Sequence, residues 1–261
     1  MDELRRRQYL KALGLDLWLS RDTPDPLAVA VAEAPPASVD VRRAVSEVRE
    51  AKLPTPTPEP APEAPPATAP PIEVPQDWTR ARALVADCRR CRLCETRTQT
   101  VFGVGVEAAS LMVIGEGPGA EEDARGEPFV GRAGRLLDEM LKSIEHSRGT
   151  NSYIANVVKC RPPNNRDPQP DEAEACRPYL EAQLKLVKPK LILAVGRVAA
   201  QRLLQTDTPL SRLRGQLHHW GPDRTPLWIT YHPAYLLRSP REKAKAWADL
   251  KFVSRFLGDT S

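Results

Sequence analysis

Leu111-Met112-Val113-Ile114-Gly115 is a short apolar run without alternation, and it breaks at once into Glu116-Gly117-Pro118-Gly119 and then Ala120-Glu121-Glu122-Asp123. Such a run reads as a strand buried on both faces, and the glycines and proline behind it as a tight turn into a helix. Three further runs repeat the pattern, at Tyr153 to Val158, Leu191 to Val195 and Leu227 to Tyr231. Between them lie helical stripes. Leu136, Leu137, Met140, Leu141 and Ile144 form one; Tyr179, Leu180, Leu184 and Val187 form another, whose start is predicted at Asp171 with Glu174 three residues on; Trp247, Leu250, Val253 and Leu257 close the chain. Strands alternating with helices predict an α/β protein, a three-layer α/β/α sandwich around a parallel sheet, with its chemistry in the loops at the strand ends.

Outward from this core the composition changes. Of the 27 prolines in 261 residues, ten fall between Ala51 and Pro75, where Thr, Ala and Glu fill the gaps. Such sequence buries too little apolar surface to offset the entropy of ordering. The folded unit is therefore expected over residues 77–261, behind a disordered Pro/Ala-rich linker at 23–76. Before the linker, residues 1–22 carry Leu4, Tyr9, Leu10 and Leu13 ahead of Gly14, then Leu15, Leu17, Trp18 and Leu19. This short amphipathic segment suits a docking peptide for a protein partner, and equally a strand of chain that folds back on the domain.

Residues 77–261 hold 29 of the 38 Lys and Arg but 22 of the 34 Asp and Glu, a basic balance compatible with a polyanionic partner or with an ordinary mixed surface. No stretch has the roughly 20 apolar residues of a membrane span, and Met1 to Ser20 lacks a signal-peptide core. A cytoplasmic monomer is expected. Its five cysteines would stay reduced there, so clustered ones point to a metal centre.

Three constellations carry the chemistry. The Gly115–Gly119 turn offers backbone amides to an anion, or simply turns; no Gly-Lys-Ser/Thr follows it, and the dinucleotide pattern is incomplete. Cys88-x-x-Cys91 gives one metal bite and Cys91-x-x-Cys94 an equal one, while Cys160 and Cys176 bracket a proline-rich loop. That spacing differs from a zinc ribbon, whose second half repeats the short bite, and leaves zinc and iron–sulfur open. Asn156 and His232 stand at the ends of apolar strands, each readable alone as a buried polar group satisfied by backbone, but together they share a sheet edge with the glycine turn where a ligand could bind.

Gly115-Glu116-Gly117-Pro118-Gly119, Pro128-Phe129-Val130-Gly131-Arg132-Ala133-Gly134, the Asn156 strand, Lys159-Cys160-Arg161-Pro162-Pro163-Asn164-Asn165-Arg166 and His232-Pro233-Ala234, in one order with the cysteines in register, resemble the family 4 uracil-DNA glycosylases. The similarity runs from Cys88 to about Leu257. It implies a four-stranded parallel sheet, a [4Fe-4S] cluster, and excision of uracil from single- and double-stranded DNA to leave an abasic site for base excision repair. The cluster ligands fall on Cys88, Cys91, Cys160 and Cys176, with Cys94 spare. The substrate pocket falls on Glu116, Gly117, Pro118, Phe129 as the stacking ring, Asn156 at the base edge, and His232. On the same resemblance His232 stabilises the departing base, and either Glu116 or Glu122 activates water, because Gly117 stands where related glycosylases carry aspartate; Glu122 is also a candidate cap for the helix that follows. The exposed-looking run Tyr235 to Arg238 is a candidate wedge into the base stack, or an ordinary helix entry. Two other classes remain: a DNA-damage binder or a scaffold that keeps the uracil pocket without turnover. The covalent variant of the chemistry is not expected, since no basic histidine-containing insertion follows the second strand.

Overall fold

The computed structural model describes residues 72–259. The segment at 1–22 and the linker before Ile72 lie outside the described residues. In chain order the helices are α1 (Trp78–Ala86), α2 (Ala120–Arg125), α3 (Arg132–Lys142), α4 (Pro170–Val187), α5 (Arg197–Leu204), α6 (Leu210–Leu213), α7 (Pro233–Arg238) and α8 (Lys243–Asp259). The strands are β1 (Val104–Gly105), β2 (Leu111–Gly115), β3 (Ser152–Asn156), β4 (Leu191–Val195), β5 (His218–Trp220) and β6 (Thr225–Thr230).

They form one sheet in the order β1-β3-β2-β4-β6-β5. The four middle strands run parallel, with Gly115 beside Asn156 and Val195 beside Thr230, so their carboxyl ends share one edge. The four parallel strands match the sequence expectation. The sheet is nevertheless mixed and six-stranded, because β1 and β5 add short antiparallel edges.

Alternation along each strand feeds two cores. Met112, Ile114, Ile192, Ala194, Leu227 and Ile229 pack on one face with Val85 of α1, Tyr179 and Leu180 of α4 and Ala199 of α5. Leu111, Val113, Leu191, Leu193 and Val195 pack on the other with Leu137 and Leu141 of α3, Leu236 of α7 and Leu250 and Val253 of α8. Each fully buried Leu, Ile or Val contributes roughly 1.5–3 kcal/mol, which is why both faces must be covered by helices. Among the described residues no helix is long and apolar enough to cross a membrane.

Three local expectations shift. The α4 helix starts at Pro170 behind Gln169, one residue earlier than the Asp171 start; the Glu172 carboxylate accepts the Gln169 amide at 2.8 Å and also the Arg166 guanidinium. Proline at the first position has no amide hydrogen to satisfy, which favours that start. Trp247 does not join the α8 core stripe: it is 45% exposed, and Ala246 takes the inward position. The packed unit also reaches back beyond Asp77, since Val74 is buried and Ile72 packs against the first core.

Candidate active site

The carboxyl edge of the sheet opens into a cleft of about 470 Å³. Glu116, Gly117 and Pro118 enter it from the end of β2, Asn156 from the end of β3, Phe129 from the turn before α3, and His232 from the start of α7. Gly115 makes the floor possible: a Cβ there would sit 2.5 Å from Asn156 Oδ1 and 2.6 Å from Phe129 Cζ, so any larger residue would push the amide and ring apart. Phe129 and His232 face each other with ring centroids 5.7 Å apart.

Two polar groups in the cleft are left facing inward. Asn156 is 1% exposed, yet its Oδ1 has no hydrogen-bond partner, and among the described residues it is the cleft's one buried side-chain atom in that state. A buried unpaired acceptor costs about 1–3 kcal/mol, so it marks a place where a ligand donor belongs. His232 caps α7, its Nδ1 accepting the Ala234 amide at 3.1 Å, which leaves the ring proton on Nε2. Burial, then the positive Arg238, pushes the imidazole down to about 4 against the opposing pull of Glu122. At neutral pH the ring is therefore an uncharged donor.

The two carboxylates of the glycine turn differ. Glu122 Oε2 accepts the Gly119 amide at 3.0 Å, and Oε1 accepts those of Val130 and Gly131 at 3.0 and 3.1 Å. It ties the turn before α2 to the turn before α3. Glu116 has no such anchoring: burial, then the charge and hydrogen bond of Asp167, pushes it up to about 7, while Arg197 pulls the other way. Asp167 was not singled out from sequence, because it lies in the loop before α4 and meets Glu116 only through the fold.

On the other side of the sheet edge, Cys88, Cys91, Cys94, Cys160 and Cys176 line one small cavity between the end of α1 and the start of α4. Arg97 Nη1 donates to Cys160 Sγ at 2.9 Å and the Lys159 amide to Cys176 Sγ at 3.3 Å. Burial pushes the Cys91 thiol up to about 11 and the Cys176 thiol to about 12, so metal binding here would have to release protons. All five cysteines are unbridged, and among the described residues no three His, Cys, Asp or Glu side chains are arranged around a single ion.

A second cleft, of about 590 Å³, lies between α4, α5 and Trp220. None of the orphaned buried atoms opens into it.

Residues 102–251 match the profile of the Uracil DNA glycosylase superfamily. The chain is 43% identical over 181 residues to a type-4 uracil-DNA glycosylase of Archaeoglobus fulgidus, covering 67% of this chain and 90% of that protein. A type-4 enzyme of Thermotoga maritima is 43% identical over 158 residues, covering 59% of this chain and 80% of that protein. Similarity to a type-5 uracil-DNA glycosylase of Thermus thermophilus is 33% over 118 residues, covering 40% of this chain and 53% of that protein. The chain belongs to the type-4 uracil-DNA glycosylase family. Within that type-4 framework, every pocket residue expected from sequence lies on one cleft, and every cysteine lies on one cavity. Sequence reasoning missed Arg148, whose guanidinium donates to the Pro128 and Phe129 carbonyls, and the pair of Asp167 with Arg197 at the end of the cleft loop.

Proposed function

We propose that this chain hydrolyses the N-glycosidic bond of deoxyuridine in single- and double-stranded DNA, releasing uracil and leaving an abasic site. The observation that carries this reading is the orphaned Asn156 Oδ1 beside a neutral His232 donor. A flipped uracil presents an N3–H donor and carbonyl acceptors, so Asn156 pairs with it, whereas cytosine would set its unprotonated N3 against the Asn156 oxygen. Phe129 stacks on the base face.

In the reaction the C1′–N1 bond breaks with its electron pair staying on uracil, and a water oxygen bonds to C1′. His232 Nε2–H donates to the carbonyl oxygen on which negative charge grows, a contribution of about 2.7–4 kcal/mol for one such donor. The water gives its proton to Glu116, which titrates near neutrality and is free to accept it; Glu122 already serves three amides. On the DNA side, Tyr235 and Leu237 are exposed on α7 while Leu236 is buried, so the wedge role falls to the first two.

Cys88, Cys91, Cys160 and Cys176 would hold a [4Fe-4S] cluster, with Cys94 as a fifth thiol on the same cavity. A cubane would take each thiolate on a different iron, so it would need thiols around a volume rather than around one ion, and the five thiols line one cavity. Its contribution would be structural: base hydrolysis moves no electrons, and ligation by Cys160 and Cys176 would fasten the loop between them at both ends. Five unbridged thiols suit a reducing cytoplasm, and the candidate docking peptide at residues 1–22 lies outside the described residues.

The test is uracil release from a labelled oligonucleotide, single-stranded and duplex, scored for abasic sites. Abasic sites in uracil-containing but not in cytosine-containing strands are expected. Tight binding of uracil DNA with no base released would instead mean a damage binder.

A further inference from the structure

Glu116 is one end of a three-membered chain of charges at the cleft wall. Glu116 and Asp167 both line the cleft, where the Asp167 carboxylate acts on that of Glu116, and the Asp167 Oδ2 in turn pairs with Arg197 Nη2. Each member comes from a different part of the fold. Glu116 follows β2, Arg197 opens α5 directly behind β4, and Asp167 sits in the loop between Cys160 and Cys176. β2 and β4 are neighbours, and the chain crosses to opposite sides of the sheet from there, so Glu116 and Arg197 both follow strands that flank the switch point where such sheets bind ligands. The loop is stiffened to deliver Asp167: Arg166 pairs with the fully buried Glu172 at 2.7 Å and donates to the Asp167 carbonyl at 2.9 Å, and Pro168 next to it is buried. Arg197 is held from the other side by Gln201 at 3.1 Å.

We infer that Asp167 is a positioning residue for Glu116, and that the Asp167–Arg197 pair sets the pH at which Glu116 becomes able to take a proton from water. The inference rests on Glu116 being the group that activates water. The charge on Asp167 opposes ionisation of the Glu116 carboxyl, and the guanidinium paired with Asp167 offsets that charge. The cleft's other charged or titratable groups are engaged elsewhere. Glu122 serves the Gly119, Val130 and Gly131 amides, Arg166 serves Glu172, Tyr235 packs its ring against Tyr231, Arg238 acts on His232, and His232 itself is neutral.

The arrangement makes the two partners pull in opposite directions, and that gives the test. Single-turnover uracil release from a single-stranded oligonucleotide is measured across pH for the full-length protein and for Glu116→Gln, Asp167→Asn and Arg197→Gln. Asp167 and Arg197 side chains are both more than half exposed, so neither exchange removes core packing. Asp167→Asn removes the repelling charge and can donate to the Glu116 carboxylate, so the acid limb should move to lower pH by roughly 0.5–1 unit. Arg197→Gln removes the balancing charge, and the limb should move to higher pH by a similar amount. Asp167→Glu, which restores the charge, should bring it back toward wild type. Limbs that coincide with wild type in both variants, or move the same way, overturn the inference while Glu116→Gln still abolishes release. If Glu116→Gln releases uracil like wild type with the limb in place, the water-activating reading of Glu116 itself has failed, and the inference with it.

Discussion

Arg148 Nη2 donates to the backbone carbonyl of Phe129 at 3.0 Å, and Nη1 of the same guanidinium holds the Pro128 carbonyl at 3.0 Å. Phe129 needs holding. Its φ is 55°, a left-handed conformation that costs a bulky residue about 1–3 kcal/mol and survives only where the surroundings enforce it. Asp138 and Glu127 in turn fix the guanidinium, at 2.7 and 2.8 Å. Arg148→Ala should therefore lower uracil excision about tenfold through a misplaced ring while the chain stays folded, and Arg148→Lys should recover little, since a lysine cannot span two carbonyls. Unchanged kcat/KM in Arg148→Ala would show that the turn holds itself.

Asn156 is buried at a cost, which separates its role in function from any role in stability. Asn156→Ala should leave Tm unchanged or slightly raised, because the orphaned acceptor disappears, while uracil release falls by about 100-fold or more. A lower Tm with activity retained would make it an ordinary core amide.

His232 should remain neutral, with its proton on Nε2, through the whole physiological range. Nitrogen NMR of the ring should show no titration between pH 8 and pH 5; a midpoint near 6.5 would contradict the cleft's electrostatics. The folded-state value, about 4, lies below the unfolded one, so the unfolded chain binds the extra proton first as pH falls. This residue's contribution thus lowers stability progressively from about pH 6.5 down to pH 4, and His232→Gln should flatten that part of a stability–pH curve.

Gly117 stands where an aspartate would put a further carboxylate in the cleft, and the local packing opposes that exchange. A Cβ at Gly117 would lie 2.8 Å from Cγ2 of the fully buried, branched Val158. Gly117→Asp should cost about 1–3 kcal/mol by overpacking, seen as a lower Tm, and adding Val158→Ala should recover part of it. Full stability in the single variant would mean that the strand end yields freely.

For the cysteines, anaerobically purified protein should be brown with about four irons per chain. Cys88→Ser should lose them and Cys94→Ser keep them. The reverse pattern would move the short bite to Cys91 and Cys94, and zinc in place of iron would refute the cluster.

How far the sequence is legible depends on how many residues share one constraint. Leu111 to Gly115 and Leu191 to Val195 are readable to the residue, because burial on both faces leaves five consecutive positions apolar. The edge strand His218-His219-Trp220 is invisible to the same logic: three residues, half exposed, paired on one side. Trp247 fits the period of α8, yet periodicity says only which residues share a stripe, and the helix is rotated enough to leave this one outside. In the cleft, residues inside motifs were legible and their supports were not. Arg148 in Ser-Arg-Gly-Thr and Asp167 in Arg-Asp-Pro look like loop decoration, since their partners lie 19 and 51 positions away in the chain.

The hydrogen bond from Ala234 to His232 has a consequence for repeated turnover. An acid catalyst must be recharged before it acts again, and a histidine leaning on a carboxylate changes charge as it works. His232 is oriented instead by a neutral backbone amide in its own helix cap, and it stabilises the leaving base as a fixed dipole whose proton stays where it was. The group that meets the departing uracil is therefore in the same state before and after each event, and the next damaged site finds it already armed.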